Sequence, residues 1–271
     1  MDHSIHQGTN MLRYIMATIM VSSVFCLPAF GWGKTGHRVT GEIAEAYLDD
    51  HSKSRIQEIL GVEDLAEAST WPDFMRSSPT DYWQRTANPW HYVTVPEGST
   101  YPDVEVPEWG DAATALASFR ETLMSETASI DEQALALRFT IHIIGDLHQP
   151  LHAGNGLDRG GNTYTVTFFD EMTNLHRVWD SDLINHEQLS YTEMSNWLSR
   201  TITAEDVHVW SVTDPSVWIN ESAAIRDTIY PEDRDLRWSY VYAHRETYRQ
   251  RLKQAGVRIA AYLNETFAPA T

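Results

Sequence analysis

Cysteine is nearly absent from this chain of 271 residues, Cys26 being the only one. A lone thiol closes no intramolecular disulfide and excludes a metal site built on several thiolates. Positive charge is scarce too: 20 Lys and Arg stand against 38 Asp and Glu, a net charge of −18. A partner gripped along a long phosphate backbone would need a basic stripe, and none runs through the sequence. Any phosphate recognition must therefore be local, through metal ions or a few arginines. Internal repeats, low-complexity tracts and interdomain linkers are also missing. What is plentiful is apolar: 42% hydrophobic residues and ten tryptophans, enough for a substantial core and against global disorder.

Residues 1–31 read as a processing segment. Arg13 precedes an apolar run from Tyr14 to Phe25, and Ala29 and Gly31 hold the minus-three and minus-one positions of a cut before Trp32. This is the pattern of a secretory signal peptide, too short for a comfortable membrane span, with an N-terminal anchor as the competing reading. Met11 is a second candidate start. Cleavage would remove Cys26, which is no lipoprotein acceptor because bulky Phe25 precedes it. Asp2 and Arg13 cancel, so the mature chain keeps its charge of −18. An exported chain without disulfides must rely on its core or on bound metals for stability.

Residues 32–271 read as a single domain, all-α and mainly helical, with a small β element. Val39, Ile43, Ala46 and Tyr47 follow helical spacing, as do Ile56, Ile59 and Leu60 before Gly61. Further helices are expected over 111–127, 131–148, 190–203, 216–229 and 236–266. The second of these is apolar nearly all round and so belongs at the centre. Only Thr163-Tyr-Thr-Val-Thr-Phe-Phe169 has strand character. The stretch from Asn88 to Trp109 carries four prolines and is expected to be irregular.

One run concentrates the chemistry: His142-Ile-Ile-Gly-Asp146-Leu-His148-Gln-Pro-Leu-His152 puts three imidazoles and a carboxylate into eleven residues. On a helix His142 and Asp146 share a face, near enough to share a metal. His176 and Asp180 repeat the spacing 34 residues later. Roughly one such pair is expected by chance in a chain of this composition, so the context decides. A buried carboxylate needs a cation or several donors, and no Lys or Arg occurs between Arg138 and Arg159. Pro150 should end or bend the helix and let His152 return to the same site. His148, two residues after Asp146, faces away and reads as structural or supporting. Asp73, in Trp71-Pro-Asp73-Phe-Met-Arg76, reads alone as a helix cap. His91, in Trp90-His91-Tyr92, reads alone as a satisfied core histidine.

Taken in order, six segments resemble the S1/P1 nuclease family of secreted zinc enzymes that cut single-stranded nucleic acids. They are Trp32-Gly-Lys-Thr-Gly-His37, Trp71-Pro-Asp73, Trp90-His91-Tyr92, the run from His142 to His152, Gly160-Gly-Asn162 and Asn174-Leu-His176-Arg-Val-Trp-Asp180. The resemblance implies a nuclease P1-like (zinc phospholipase C) fold and three zinc ions per chain. Asp73, His91, His142 and Asp146 would hold the first, and His152, His176 and Asp180 the second. His37, Asp146 and the free amino group and carbonyl of Trp32 would hold the third, with Asp146 as the bridge. It also implies Asp73 and Arg76 as catalytic residues, Arg76 steadying transition-state charge. A metal-activated water would attack phosphorus in line and leave 5′-phosphate products. Tyr92, Gly161 and Asn162 would bind the base, and stacking on Tyr92 would select unpaired strands without a basic groove.

Thr94 stands where fungal members carry an aspartate, which unsettles base preference but not catalysis. The absence of disulfides departs from eukaryotic members and suggests a bacterial enzyme, periplasmic or secreted. The sequons at Asn220 and Asn264 would then be idle. The expected partners are single-stranded DNA and RNA and 3′-nucleotides, with no stable protein partner, no membrane after cleavage, and a monomeric state. Two alternatives stand beside this reading: a zinc phospholipase C of the same fold, and a non-catalytic exported metal-binding protein.

Overall fold

The computed structural model describes residues 32–269, so the expected leader lies outside the described residues. The architecture follows from one helix. Ser129 Oγ accepts from the Glu132 amide at 3.3 Å, and Glu132 accepts from the Ser129 amide at 2.8 Å. This reciprocal capping satisfies two free donors and starts helix Ile130–Leu147. From residue 139 onward no position of that helix is exposed, because Phe139, Ile141, Ile143, Ile144 and Leu147 bury every face. It stops before Pro150, which cannot donate to a further turn, and Pro150–His152 form a tight 3-10 turn instead.

In chain order the helices are α1 (Lys34–Glu45), α2 (Asp50–Leu60), α3 (Leu65–Ala68), α4 (Trp71–Met75), α5 (Ala112–Met124), α6 (Ile130–Leu147) and α7 (Leu175–Arg177). They continue as α8 (Leu183–His186), α9 (Tyr191–Ser199), α10 (Ala204–Trp210), α11 (Pro215–Arg226) and α12 (Trp238–Phe267). Two short strands, β1 (Val93–Thr94) and β2 (Ala153–Gly154), pair in parallel. A second sheet has the order β4-β3-β5, with β3 (Thr165–Phe168) antiparallel to β4 (Glu171–Asn174) and parallel to β5 (Asp235–Leu236).

Two apolar clusters build the core. One gathers α5, α6 and α11 around Leu116, Phe119, Leu137, Phe139 and Trp218. The other gathers Trp32, Val39, Trp179, Leu183, Tyr248 and Leu252. Residues flanking the His/Asp segments belong to both: Ile143, Leu147 and Val93 to the first, Leu151, Leu175 and Val178 to the second. The polar groups thus sit along the seam where the clusters meet.

The mainly helical expectation holds, with differences at the ends. The anticipated helix 236–266 begins only at Trp238, because Asp235 and Leu236 extend the sheet along β3. Strand β3 is shorter than the expected 163–169, since Phe169 and Asp170 take left-handed backbone angles at the hairpin tip. Helix α10 was not anticipated. Its seven residues are too few for a periodic signal, although Thr203 and Asp206 form a capping box. Residues 88–109 are irregular apart from a 3-10 turn, Asn88–His91, and β1.

Gly256 lets α12 lie directly on α1, the helix that carries His37. A Cβ there would lie 2.5 Å from Ile43 Cγ2 and 2.6 Å from Ile43 Cβ. Gly256→Ala gains about 1 kcal/mol of helix propensity, yet overpacking of a tight crossing costs about 1–3 kcal/mol. We expect a net loss of stability, read as a lower urea midpoint with an unchanged slope. A higher midpoint would show that the crossing is loose.

Candidate metal centre and substrate cleft

Nine side chains or termini were expected to hold metal, and the structure brings eight of the side chains together in three buried groups. They are His37, His142 and Asp146; Asp73, His91 and His142; and His152, His176 and Asp180. They come from several elements. His37 lies on α1, Asp73 in the first turn of α4, and His91 at the end of the 3-10 turn before β1. His142 and Asp146 project from α6, while His152 returns on the turn after Pro150. His176 and Asp180 share one face of α7 and the π turn that continues it.

The distances have the scale of a coordination sphere. Donor atoms at about 2.0–2.1 Å from a tetrahedral ion lie about 3.3 Å apart. His91 Nδ1 is 2.8 Å from His142 Nε2 and 3.1 Å from Asp146 Oδ2. His142 Nε2 is 3.0 Å from Asp146 Oδ2 and 3.8 Å from Asp73 Oδ1. The other Asp146 oxygen, Oδ1, stands 3.2 Å from His37 Nε2. The carboxylate therefore turns one oxygen to each of two groups, as a bridging ligand does. In the third group His176 Nε2 is 3.2 Å from Asp180 Oδ2, and His152 Nε2 is 3.9 Å from Asp180 Oδ1.

Backbone carbonyls orient the rings. His142 Nδ1–H donates to Ser69 O at 2.7 Å, His152 Nδ1–H to His91 O at 2.5 Å, and His176 Nδ1–H to Gly160 O at 2.5 Å. These bonds leave each Nε2 free as a neutral donor toward its group, the usual support for a metal-binding imidazole. Gln149 clamps the last group: its amide donates to Asp180, and its carbonyl accepts from Leu151 N.

Apart from Arg76, which reaches Asp73 at 3.6 Å, no lysine or arginine among the described residues forms an ion pair with these groups. His37 Nε2, Asp73 Oδ1, Asp146 Oδ1 and His152 Nε2 are all buried and make no hydrogen bond. Each orphaned group costs about 1–3 kcal/mol. Four in one place would consume much of a typical stability of about 5–15 kcal/mol. The protonation preferences differ from group to group. Burial pushes His37 and His91 down and takes His152 to about 3. Burial also opposes charge on His142, yet the Asp146 and Asp73 carboxylates overcome it and push that ring up to about 9. Burial raises Asp180 to about 7 against the pull of His176. A metal ion favours the proton-free form of every one of these groups, so the residues fit such an ion.

Asp73 does not cap a helix, as it seemed to when read alone. Thr70 holds the cap position of α4, and the Asp73 carboxylate faces His142. His91 is likewise no ordinary core histidine, since its Nδ1 faces Asp146. His148 does face away: its Nδ1–H donates to Ile144 O at 2.7 Å and its Nε2 accepts from Arg258 at 3.0 Å. Trp32, the ninth expected ligand, has a fully buried indole, and Gly33 N–H donates to Asp180 O at 2.6 Å. The chain next to Trp32 is thereby tied to the turn that carries Asp180.

Above the groups opens a cleft of about 320 Å³, lined among others by Arg76, His91, Tyr92, Thr94, His152, Arg159, Asn162 and His176. Tyr92 is 43% exposed and lines this cleft. Arg76 lies 3.6 Å from Asp73 and donates to Asn88 at 3.2 Å, which fixes a guanidinium at the metal side of the cleft. Gly160, rather than Gly161, lines the wall. Both have left-handed backbone angles, and a Cβ on Gly161 would press on the His176 amide at 3.3 Å. Asp158 secures this turn by accepting from Gly161 N at 2.9 Å and from Tyr230 OH at 2.6 Å. Sequence reasoning missed Gln149 and Tyr230, whose partners Asp180 and Asp158 lie far along the chain and leave no local pattern.

The S1/P1 nuclease family profile matches residues 32–268. Endonuclease 4 of Arabidopsis thaliana is 31% identical to this chain over 294 aligned positions, covering 95% of this chain and 96% of that protein. Nuclease S1 of Aspergillus oryzae is 26% identical, covering 87% and 91%. Nuclease P1 of Penicillium citrinum is 27% identical, covering 86% and 97%. These relatives are plant and fungal, and the expected bacterial source finds no support among them.

Removal of bound metal should expose the orphaned groups. A ligand held at a hundred times its Kd adds about 2.7 kcal/mol, and in a chain of this size each kcal/mol moves Tm by about 2–4 °C. Chelation is expected to lower Tm by at least 5 °C, with recovery when zinc is restored. An unchanged Tm after complete chelation would show that the groups hold no metal.

Proposed function

The chain belongs to the S1/P1 nuclease family, and from that premise we propose a secreted enzyme that cuts single-stranded DNA and RNA to 5′-phosphate products. It also hydrolyses 3′-nucleotides, and it works as a monomer with three zinc ions. That it is a hydrolase acting on nucleic acids follows from the family, which is zinc-dependent in general. The observation that carries the finer reading is the split carboxylate of Asp146, one oxygen toward His37 and the other toward His91 and His142. Asp73, His91, His142 and Asp146 would hold one ion, His152, His176 and Asp180 another, and His37, Asp146 and the Trp32 amine and carbonyl the third. Zinc in such sites lowers the pKa of bound water and polarises phosphoryl oxygens.

The chain's own residues do the rest. Tyr92 offers a face on which an unpaired base stacks, a contact closed to a base already paired in a duplex. Asn162 and the Gly160–Gly161 turn meet the edge of that base, and Thr94 supplies a hydroxyl where a carboxylate would accept two hydrogen bonds. Arg76, held by Asn88 and Asp73, places positive charge where the phosphate gains negative charge. With recognition confined to one stacked base and a few local charges, a surface of −18 is compatible with a polyanionic substrate. The relatives lend the zinc phospholipase alternative no support, and a non-catalytic role does not suit the family.

Secretion with cleavage before Trp32 is part of the same proposal, because an amide nitrogen is a poor zinc ligand and a free amine a good one. The chain starting at Trp32 should bind three zinc ions and turn over single-stranded DNA, RNA and 3′-mononucleotides but not phosphatidylcholine. Release of choline phosphate without nucleotides would sink the nuclease reading. One extra residue before Trp32 is expected to remove one zinc and most activity, whereas full zinc and full rate would refute the role of the amine. Tyr92→Ala should lower kcat/KM on single strands by about tenfold, since stacking on an aromatic contributes about 1–3 kcal/mol per base. An unchanged value would remove Tyr92 from the base site.

A further inference from the structure

Among the described residues the wall of the substrate cleft carries two cations, Arg76 and Arg159. They are held in different ways. Arg76 sits at the metal side, beside Asp73 and Asn88. Arg159 is exposed, and its side chain has no hydrogen-bond or ion-pair partner among the described residues. The acid next to it in the chain, Asp158, is already engaged by Gly161 N and Tyr230 OH. Thr94, on the same wall, brings no carboxylate that could neutralise it.

The backbone of Arg159 is fixed although its side chain is free. Its φ of 57° is a left-handed angle, which a residue with a Cβ adopts at a cost and which recurs at binding sites. Its carbonyl accepts from Asn162 Nδ2 at 2.8 Å and from Asn162 N at 3.4 Å. Arg159 and Asn162 are thus locked into one turn, with the Asn162 amide nitrogen used and its Oδ1 left as an acceptor. Both residues line the same cleft. The turn therefore offers a guanidinium fork and a carboxamide oxygen side by side.

We propose that Arg159 sets base specificity and that the base it selects is guanine, an assignment that rests on the reading of the chain as a single-strand nuclease whose base stacks on Tyr92. Guanine presents two neighbouring acceptors, O6 and N7, which a guanidinium meets with two parallel hydrogen bonds. Its N1–H, next to O6, is a donor for Asn162 Oδ1. Adenine stacks on the same face, but its N6 amino group puts donors where O6 stood, opposite the donors of Arg159. A second phosphate contact is the other use for a cation in this cleft, and it would favour every base alike. The pairing of Arg159 with Asn162 points to the base edge, because an ionised phosphate has no donor for the Asn162 oxygen.

The test is competitive. Mixed-sequence single-stranded DNA is digested briefly and the product ends are sequenced, so that the readout is the base immediately 5′ of each cut, whose 3′ oxygen leaves. The ratio of cutting after guanine to cutting after adenine cancels metal content and stacking on Tyr92. In the unaltered enzyme it should be about tenfold, the scale of one bidentate base contact. Arg159→Gln should lower it by about tenfold or more and turn the preference toward adenine, since a carboxamide pairs with adenine N6 and N7. Replacing guanine by 7-deazaguanine, which removes N7 alone, should abolish most of the preference in the unaltered enzyme and change nothing in Arg159→Gln. A preference kept in full with 7-deazaguanine would overturn the fork. A ratio near one in the unaltered enzyme, or an unchanged ratio in Arg159→Gln with all cutting slowed alike, would overturn the base contact and give Arg159 to a phosphate. Failure of the unaltered enzyme to cut single-stranded DNA at all would instead overturn the functional reading beneath the proposal.

Discussion

Asp146 is a wholly buried carboxylate on a helix that exposes nothing from residue 139 to its end. A charge in such a place is strongly unfavourable unless it is compensated. The groups around it are not the usual compensators. His37, His91, His142 and His152 surround it, and among the described residues no lysine or arginine pairs with it. Burial would drive its proton back on, yet His142 and His152 hold it well below the usual carboxylate range. An arrangement that keeps one carboxylate ionised and leaves neighbouring imidazole nitrogens without hydrogen bonds has the chemistry of a metal bridge. His37 faces one of the Asp146 oxygens, and His91 and His142 face the other.

The scaffold secures this carboxylate from behind as well as from the front. Where α6 ends, Arg251 donates to His148 O and Arg258 to the His148 ring, and Glu221 holds both guanidinium groups. These arginines are nine-tenths or more buried, so their charge is confined to the rear of the helix, away from the metal groups. On the other side, Arg226 ties the carbonyls of Val95 and Ala153 and so fixes the two short strands under the cleft. Cations lock the frame while imidazoles and carboxylates face inward. That division lets a strongly acidic chain assemble a site for a polyanion without a basic surface.

Much of this was legible in the sequence. The near-continuous apolarity of α6, the repeated His-x-x-x-Asp spacing and the turn forced by Pro150 are local patterns, and each survives in the structure. Asp73 and His91 were legible only through the resemblance, since in isolation one looks like a cap and the other like core. The carbonyl partners Ser69, His91 and Gly160 could not be read at all, because any residue carries a carbonyl and only the fold selects which one meets a ring. Gln149, Tyr230 and Arg258 escaped for a related reason. Their partners lie 31, 72 and 110 positions away, beyond the reach of any periodicity.

The central claim is that Asp146 joins two metal sites into one centre while the His152, His176 and Asp180 group stands on its own. The most direct measurement is the zinc content per chain of purified Asp146→Asn, which keeps the side-chain shape and removes the charge. The account predicts a fall from three ions to about one, with the remaining ion lost only when Asp180 is also replaced. Loss of a single ion, or of none, would contradict the bridge.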